Sequence, residues 1–221
     1  MKYVKPLPRE VINAVRVAES GEPLTDLAKI PGLFFADGLD ARSKYARADV
    51  ARMLLCAAKK LPKGVFFKIY FAYRPLKVQM KMFMGKLAEV KKKFPRLSEA
   101  EQTRRARLAV ADPRGGKYGP HQTGGAIDIT LCDKNGKELD MAGAWNMFDR
   151  YTPTYPTLFR GFFPLLSKKR LANREILYNA MMGAGFVNYP LEWWHYCFGD
   201  RMWAAFAGRK SCPYGCAEDL K

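Results

Sequence analysis

Pro120-His121-Gln122-Thr123-Gly124-Gly125-Ala126-Ile127-Asp128-Ile129-Thr130-Leu131-Cys132 reads as a glycine-rich loop feeding a strand, and Asp133-Lys134-Asn135-Gly136-Lys137 follows as a hairpin-type turn. Glycine and proline accumulate from 112 to 125, which keeps His121 on the loop. Upstream, 8–19 reads as a short helix. A stronger helix spans 47–61, where Val50, Met53, Leu54 and Ala57 recur at helical spacing before Pro62 and Gly64 end it. Residues 65–73 are rich in β-branched and aromatic side chains and predict a buried strand, stopped by Arg74-Pro75. Residues 76–93 are helical, Pro95 breaks that helix, and Ser98 with Glu101 forms a capping box for another reaching about 109. Downstream, 141–169 has no clear period and reads as a long structured loop. A helix over 171–183 and a strand over 192–198 close the pattern. Strands bracket helices without regular βαβ alternation, which predicts an α+β fold with an antiparallel or mixed sheet.

No repeat or linker divides the 221 residues, so 1–221 is expected to be one domain, with 1–40 and 206–221 as peripheral extensions. A chain of this length buries roughly 70% of the surface its unfolded form exposes. Hydrophobic residues at 48% and charged residues at 27% fit an ordinary folded globule and exclude a disordered or fibrous chain. No stretch approaches the roughly 18 apolar residues of a membrane span, and no apolar run follows the early charges as a secretory core would. The expected location is the cytoplasm. Five cysteines, Cys56, Cys132, Cys197, Cys212 and Cys216, are an odd number and fit reduced thiols. Cys212-Pro213-Tyr214-Gly215-Cys216 offers two thiolates where a structural zinc takes four ligands, so a tail with free thiols is expected.

Thirty-eight basic residues against 21 acidic give a net charge of +17. Such an excess suits a polyanionic neighbour, and an anionic cell-wall polymer is one candidate partner. The densest stretch lies between Lys77 and Arg107 and serves either as a solvated helical face or as an anion-binding surface. Nucleic acid is not expected, because charge alone speaks for it. Nothing in the sequence sets an oligomeric state.

The chain has only two histidines, His121 and His195, and each sits in a run able to build one side of a metal site. A catalytic zinc takes three protein ligands and keeps a fourth position open. His121, Asp128 and His195 supply such a set, with Gly124-Gly125 letting the backbone fold back so that a loop histidine and a strand carboxylate converge. His195 would arrive from a neighbouring strand. Glu192 has the chemistry of a general base, able to take a proton from an activated water and return it to a leaving amine. Regular strand alternation would send 192 and 195 to opposite faces, so Pro190 upstream implies an irregular strand start. Arg74, at a strand end, presents a planar fork suited to an oxyanion.

His121-x-x-Gly124-x-Ala126-x-Asp128, Glu192-Trp193-Trp194-His195 and Tyr73-Arg74-Pro75 resemble the signature segments of the zinc-dependent D-alanyl-D-alanine dipeptidases, the family that includes the vancomycin-resistance dipeptidases. Asn188-Tyr189-Pro190 and Phe198-Gly199-Asp200-Arg201-Met202-Trp203 resemble it as well, and the likeness runs in order from about 45 to 205. The resemblance implies an antiparallel-rich central sheet flanked by helices, related to the D,D-peptidase and Hedgehog domains. It also implies one zinc on His121, Asp128 and His195, Glu192 as base, Arg74 as transition-state stabiliser, and hydrolysis of D-Ala-D-Ala to two D-alanines. Trp193 would line the substrate pocket, and Asp149 matches a family aspartate near the site. Two departures stand out: Gly119 replaces a family serine, and 141–148 is longer than the family leads one to expect. A D,D-carboxypeptidase trimming longer stem peptides is the alternative activity, and a zinc-stabilised wall-binding domain the non-catalytic one.

Overall fold

The computed structural model describes residues 4–107, 109–114, 118–145, 151–155 and 166–219. In chain order the strands are β1 (Arg16–Val17), β2 (Leu24–Asp26), β3 (Leu33–Phe35), β4 (Tyr45–Arg47), β5 (Phe66–Phe71), β6 (Ala126–Cys132), β7 (Val187–Asn188), β8 (His195–Cys197) and β9 (Ser211–Cys212). The helices are α1 (Arg9–Asn13), α2 (Ala48–Ala58), α3 (Leu76–Lys93), α4 (Glu99–Ala106), α5 (Lys168–Gly183) and α6 (Arg201–Phe206). The central sheet runs β3-β5-β6-β8-β7; β3 is parallel to β5 and every other pairing is antiparallel. The fold is therefore α+β with an antiparallel-rich sheet.

Alternation along β6 separates two environments. Ile129 pairs with Ile69, Leu131 with Phe67, and Ile127 with Tyr196. These join Val50 and Leu54 of α2 and Leu177 and Met181 of α5 in one apolar core. Asp128 and Thr130 alternate to the opposite face, where Asp128 is paired with both Phe71 and His195. A register shift between Ile69 and Phe71 brings Phe71 opposite Asp128. One strand thus carries the core on one side and a carboxylate on the other.

Several local signals hold to the residue. Proline at 75 precedes α3, which runs over 76–93, and the Ser98 hydroxyl accepts from the Glu101 N–H to start α4. The turn at 133–137 forms, with Gly136 at φ +76 and Asp133 N–H donating to Lys137 O, but it returns to β6 through a single bridge, Cys132 to Glu138. Elsewhere tertiary contacts override local pattern. The helix expected over 8–19 stops at Asn13, because Arg16–Val17 is drawn into a parallel pair with Ser211–Cys212. The strand expected over 192–198 shortens to His195–Cys197, because a tight turn occupies the residues after Pro190.

Residues 1–40 and 206–221, expected as peripheral, contribute buried groups where they are described. Leu27 is fully buried in the main core, β3 is an edge of the central sheet, and Val15 packs with Ala204 and Cys212. Much of the basic stretch is ion-paired along α3 and α4: Lys86 with Glu89, Lys91 with Glu99, Arg104 and Arg105 with Glu101, and Arg107 with Asp112. All five cysteines are free thiols, and Cys132, Cys197, Cys212 and Cys216 are buried. No helix among the described residues is long and apolar enough to cross a membrane.

Candidate active site

Pairing of β6 with β8 sets Asp128 directly opposite His195, and His195 Nδ1 lies 2.9 Å from Asp128 Oδ1. His121 comes from a single helical turn, Pro120–Thr123, that precedes β6. Gly124 ends that turn at φ +72, and a Cβ there would stand 2.5 Å from the Leu24 side chain, so the reversal requires glycine on two counts. The turn is bolted in place from outside. Arg47, fully buried, donates its backbone N–H to Gly124 O (3.0 Å) and its Nε to Thr123 O (2.7 Å), while Arg74 N–H donates to His121 O (3.1 Å). His121 Nε2 thereby comes to 3.3 Å from Asp128 Oδ1. One donor atom from each of His121, Asp128 and His195 lies within 4.8 Å of the others, the one such metal-competent cluster among the described residues.

Each of the three side chains is also held from behind. His121 Nδ1 lies 2.7 Å from Ala72 O, which accepts its proton and leaves Nε2 with a lone pair toward Asp128. His195 Nε2 contacts Cys197 Sγ at 3.2 Å, and Asp128 Oδ2 accepts from Trp145 Nε1 at 3.2 Å. Burial alone would raise the Asp128 pKa, yet the charges and hydrogen bonds of both histidines hold it well below the usual carboxylate range. Burial pushes His121 down. It pulls His195 down as well, but the hydrogen bond and charge of Asp128 outweigh it, and His195 moves up. One carboxylate and two imidazoles, three convergent N/O donors with their remaining polar atoms engaged, fit zinc with a position to spare.

The residues after Pro190 resolve the spacing of Glu192 and His195. Glu192 N–H donates to Tyr189 O (3.0 Å), His195 N–H donates to Glu192 O (3.2 Å), and Asn188 Nδ2 donates to both Glu192 O (3.1 Å) and His195 O (3.0 Å). This turn places Glu192 Oε2 4.0 Å from His195 Nδ1, on the same side of the sheet. Burial raises the Glu192 carboxyl to about 7, with His195 and Arg74 opposing and Asp128 adding to the shift. The Arg74 guanidinium lies 4.4 Å over the Phe71 ring, and its Nη1 donates to Gln79 Oε1 at 2.9 Å. Its buried Nε has no hydrogen-bond partner among the described residues. Burial lowers the Arg74 pKa, and the charges of Asp128 and Glu192 act against that shift.

Of the residues singled out in the sequence, His121, Asp128, His195 and Glu192 lie side by side, and Arg74 lies near enough for the charges of Asp128 and Glu192 to act on it. Trp193 is buried, with its ring against Trp194 and under the Arg174 guanidinium. It lines a cavity of about 270 Å³ with Tyr70, Glu138, Met141 and Trp145. Asp149 lies outside the described residues. Trp145, Cys197 and Arg47 carry no sequence signal as site residues, since only folding brings them behind His121, Asp128 and His195.

A model of the peptidase M15 family, described as D-ala-D-ala dipeptidase, matches residues 39–211. The chain belongs to this family. It is accordingly a hydrolase of the metallopeptidase class. A D-alanyl-D-alanine dipeptidase of Synechocystis sp. is 28% identical over 221 residues, covering 86% of this chain and 87% of that protein. One of Escherichia coli is 42% identical over 77 residues, 34% of this chain and 36% of its own length. Among solved structures, the LD-carboxypeptidase LdcB shares the fold at a TM-score of 0.51 and 21% identity, over 96% of this chain and 94% of that one.

At Gly119, where the chain departs from the resemblance, the backbone is held by Gln122. Gly119 N–H donates to Gln122 Oε1 at 2.7 Å, and a Cβ at 119 would crowd that oxygen at 3.1 Å. The Gln122 amide in turn donates to Arg74 O (3.2 Å) and Gln79 Oε1 (3.3 Å). Gln122 therefore ties the His121 turn to the segment that carries Arg74.

Proposed function

We propose that this M15 family member is a zinc D,D-dipeptidase hydrolysing D-Ala-D-Ala to two D-alanines, with one zinc held by His121 Nε2, Asp128 Oδ1 and His195 Nδ1. The observation that carries this reading is the convergence of those three atoms beside a half-buried carboxylate, Glu192, 4.0 Å from His195 Nδ1. The metal, when bound, supplies Lewis-acid chemistry, acidifying water and polarising a carbonyl.

Glu192 takes a proton from the attacking water as the water oxygen bonds to the peptide carbon. The same carboxyl returns that proton to the amide nitrogen as the C–N bond breaks, releasing two D-alanines. Its place beside the proposed ligand His195 suits both roles, since one carboxyl can accept the proton and then donate it. Arg74 is partly buried and lies close enough to feel the charges of Asp128 and Glu192, so its fork would stabilise the oxyanion that develops on the carbonyl.

The test is zinc analysis with D-alanine release on the parent chain and on Glu192→Ala. The expected result is one zinc per chain in both proteins and turnover in the parent alone. Full turnover by the variant would overturn the mechanism. Running a pentapeptide stem beside the dipeptide separates a dipeptidase from a D,D-carboxypeptidase, which would release the terminal D-alanine of the longer substrate faster.

A further inference from the structure

Residues 141–145, the described part of the segment that departs from the family, are fixed by an unusual anchor. Arg174 of α5 is 2% exposed and donates to the carbonyls of Met141 (2.7 Å), Ala142 (2.6 Å), Tyr151 (2.5 Å) and Pro153 (2.7 Å). The backbone at 141–142 and at 151–153 is thus gathered on one guanidinium. Ala142 adopts φ +56, a left-handed conformation that a non-glycine residue enters at some cost and keeps only when its surroundings dictate it. Its N–H is held by Asp140 Oδ1 at 3.1 Å.

The product of that constrained backbone is the placement of Trp145. Its ring stacks on Tyr70 with centroids 5.2 Å apart and planes 17° from parallel. The Tyr70 hydroxyl donates to Glu138, and Glu138 pairs with Lys68 at 3.1 Å. So supported, Trp145 Nε1 donates to Asp128 Oδ2 at 3.2 Å, while both histidines approach the other oxygen, Oδ1. The two carboxylate oxygens are divided between two tasks.

We propose that Trp145 is a positioning residue for the metal site: its indole N–H occupies Asp128 Oδ2, so that Oδ1 alone is presented beside His121 and His195. The inference rests on the zinc reading given above. A carboxylate whose second oxygen is held by a donor has a fixed orientation and cannot swing to fill the open coordination position, and outer partners of this kind typically contribute 10–100-fold in metal affinity or activity. Metal affinity is thereby linked to a loop anchored on α5.

Two replacements separate the N–H from the ring. Trp145→Phe keeps an aromatic ring against Tyr70, and benzothienylalanine at 145 keeps the bicyclic shape, and both lack the donor. Zinc affinity of each full-length, metal-free protein is measured by competition with a chromophoric chelator, beside its melting temperature without metal and the visible spectrum of its cobalt form. Both variants should bind zinc about 10–100-fold more weakly than the parent chain, with an altered cobalt spectrum and an unchanged metal-free melting temperature. Equal zinc affinity in all three proteins overturns the role of Trp145 while leaving the zinc site standing. Weakening in Trp145→Phe but not in the benzothienylalanine protein assigns the effect to packing and also overturns it. A parent chain that binds no zinc overturns the underlying reading, and this one with it.

Discussion

Replacing Glu192 by glutamine keeps the size of the side chain and its place in the 189–192 turn, because backbone atoms and Asn188 hold that turn and glutamine retains an oxygen to accept the side-chain hydrogen bond of Trp194. What is lost is the ability to take a proton. Positioned general bases contribute about 10²–10⁴ in rate, which is about 2.7–5.4 kcal/mol of barrier at 1.36 kcal/mol per tenfold. A second effect must be kept apart from this one. Glu192 Oε2 is 4.0 Å from His195 Nδ1, and at an effective dielectric near 20 a unit charge at that distance is worth about 4 kcal/mol. Its loss therefore also weakens the hold on a cation at the site, less than that figure because solvent reaches the side chain. The assay is kcat for D-alanine release from D-Ala-D-Ala at saturating zinc, with bound zinc counted in the same sample. Glu192→Gln should hold one zinc when saturated and turn over about 10²–10⁴ times more slowly. A fully loaded variant with kcat within about threefold of the parent would refute the base assignment, since the drop expected of a base is at least thirty times larger than that.

Arg74→Lys keeps a positive charge but not the planar fork, so kcat should fall by about 10²–10³, the usual loss of one oxyanion donor, with zinc content unchanged. In the metal-free protein, Glu192 titrates at about 7 against 4.5 when unfolded. The native state binds the extra proton between those values, so this contribution is full below about 4.5 and is lost as pH rises through about 7. Metal-free melting temperature should therefore drop between about pH 5 and 8, and Glu192→Gln should flatten that drop. Arg47→Met leaves the carbonyls of Thr123, Glu22 and Gly215 without their guanidinium donor and should cost about 3 kcal/mol or more in urea unfolding. Burial of Glu19 works against ionisation, but hydrogen bonds from Arg47, Gly215 and Gly21 outweigh it and lower its pKa below 4.5. Its stabilisation is present above about pH 4.5 and is lost as pH falls through the folded value, so Glu19→Gln should shrink the loss of stability seen in acid unfolding.

What was legible from sequence follows the reach of each signal. The strand over 126–132 and the helix over 76–93 are specified by a few adjacent residues, a glycine pair before one and proline before the other, and both form as read. Ser98 caps α4 because the capping contact spans only three residues. The helix expected over 8–19 fails because its second half answers to Ser211 and Cys212, almost two hundred residues away. The same distinction divides the site. Histidine, aspartate and glutamate are recognisable by chemical type, and their motifs are short. Trp145 is an ordinary tryptophan in an irregular segment, and only the pairing of β5 with β6 and the grip of Arg174 on the carbonyls of Met141, Ala142, Tyr151 and Pro153 bring it to Asp128. Arg47 has no local mark at all, yet it joins Glu19, Gly215 and the His121 turn at one buried point.

The site is coupled to the core through the register of one short strand. β8 is three residues long, and its middle residue, Tyr196, is 1% exposed and pairs with Ile127 on the helix-covered face. Its first residue, His195, pairs with Asp128 on the other. Because strand side chains alternate strictly, a slip of one position would carry His195 into the apolar core and turn Tyr196 toward His121 and Asp128. Three register pairs with β6 and two with β7 are few to forbid such a slip on their own. Trp194, 2% exposed and joined to Ile129 through its carbonyl, and Tyr196 bury their rings in the core cluster that includes Leu177 and Met181, so any slip forfeits two large buried aromatics at once. The Trp-Trp-His-Tyr run is therefore one device: the aromatics fix the register, and the register aims the histidine.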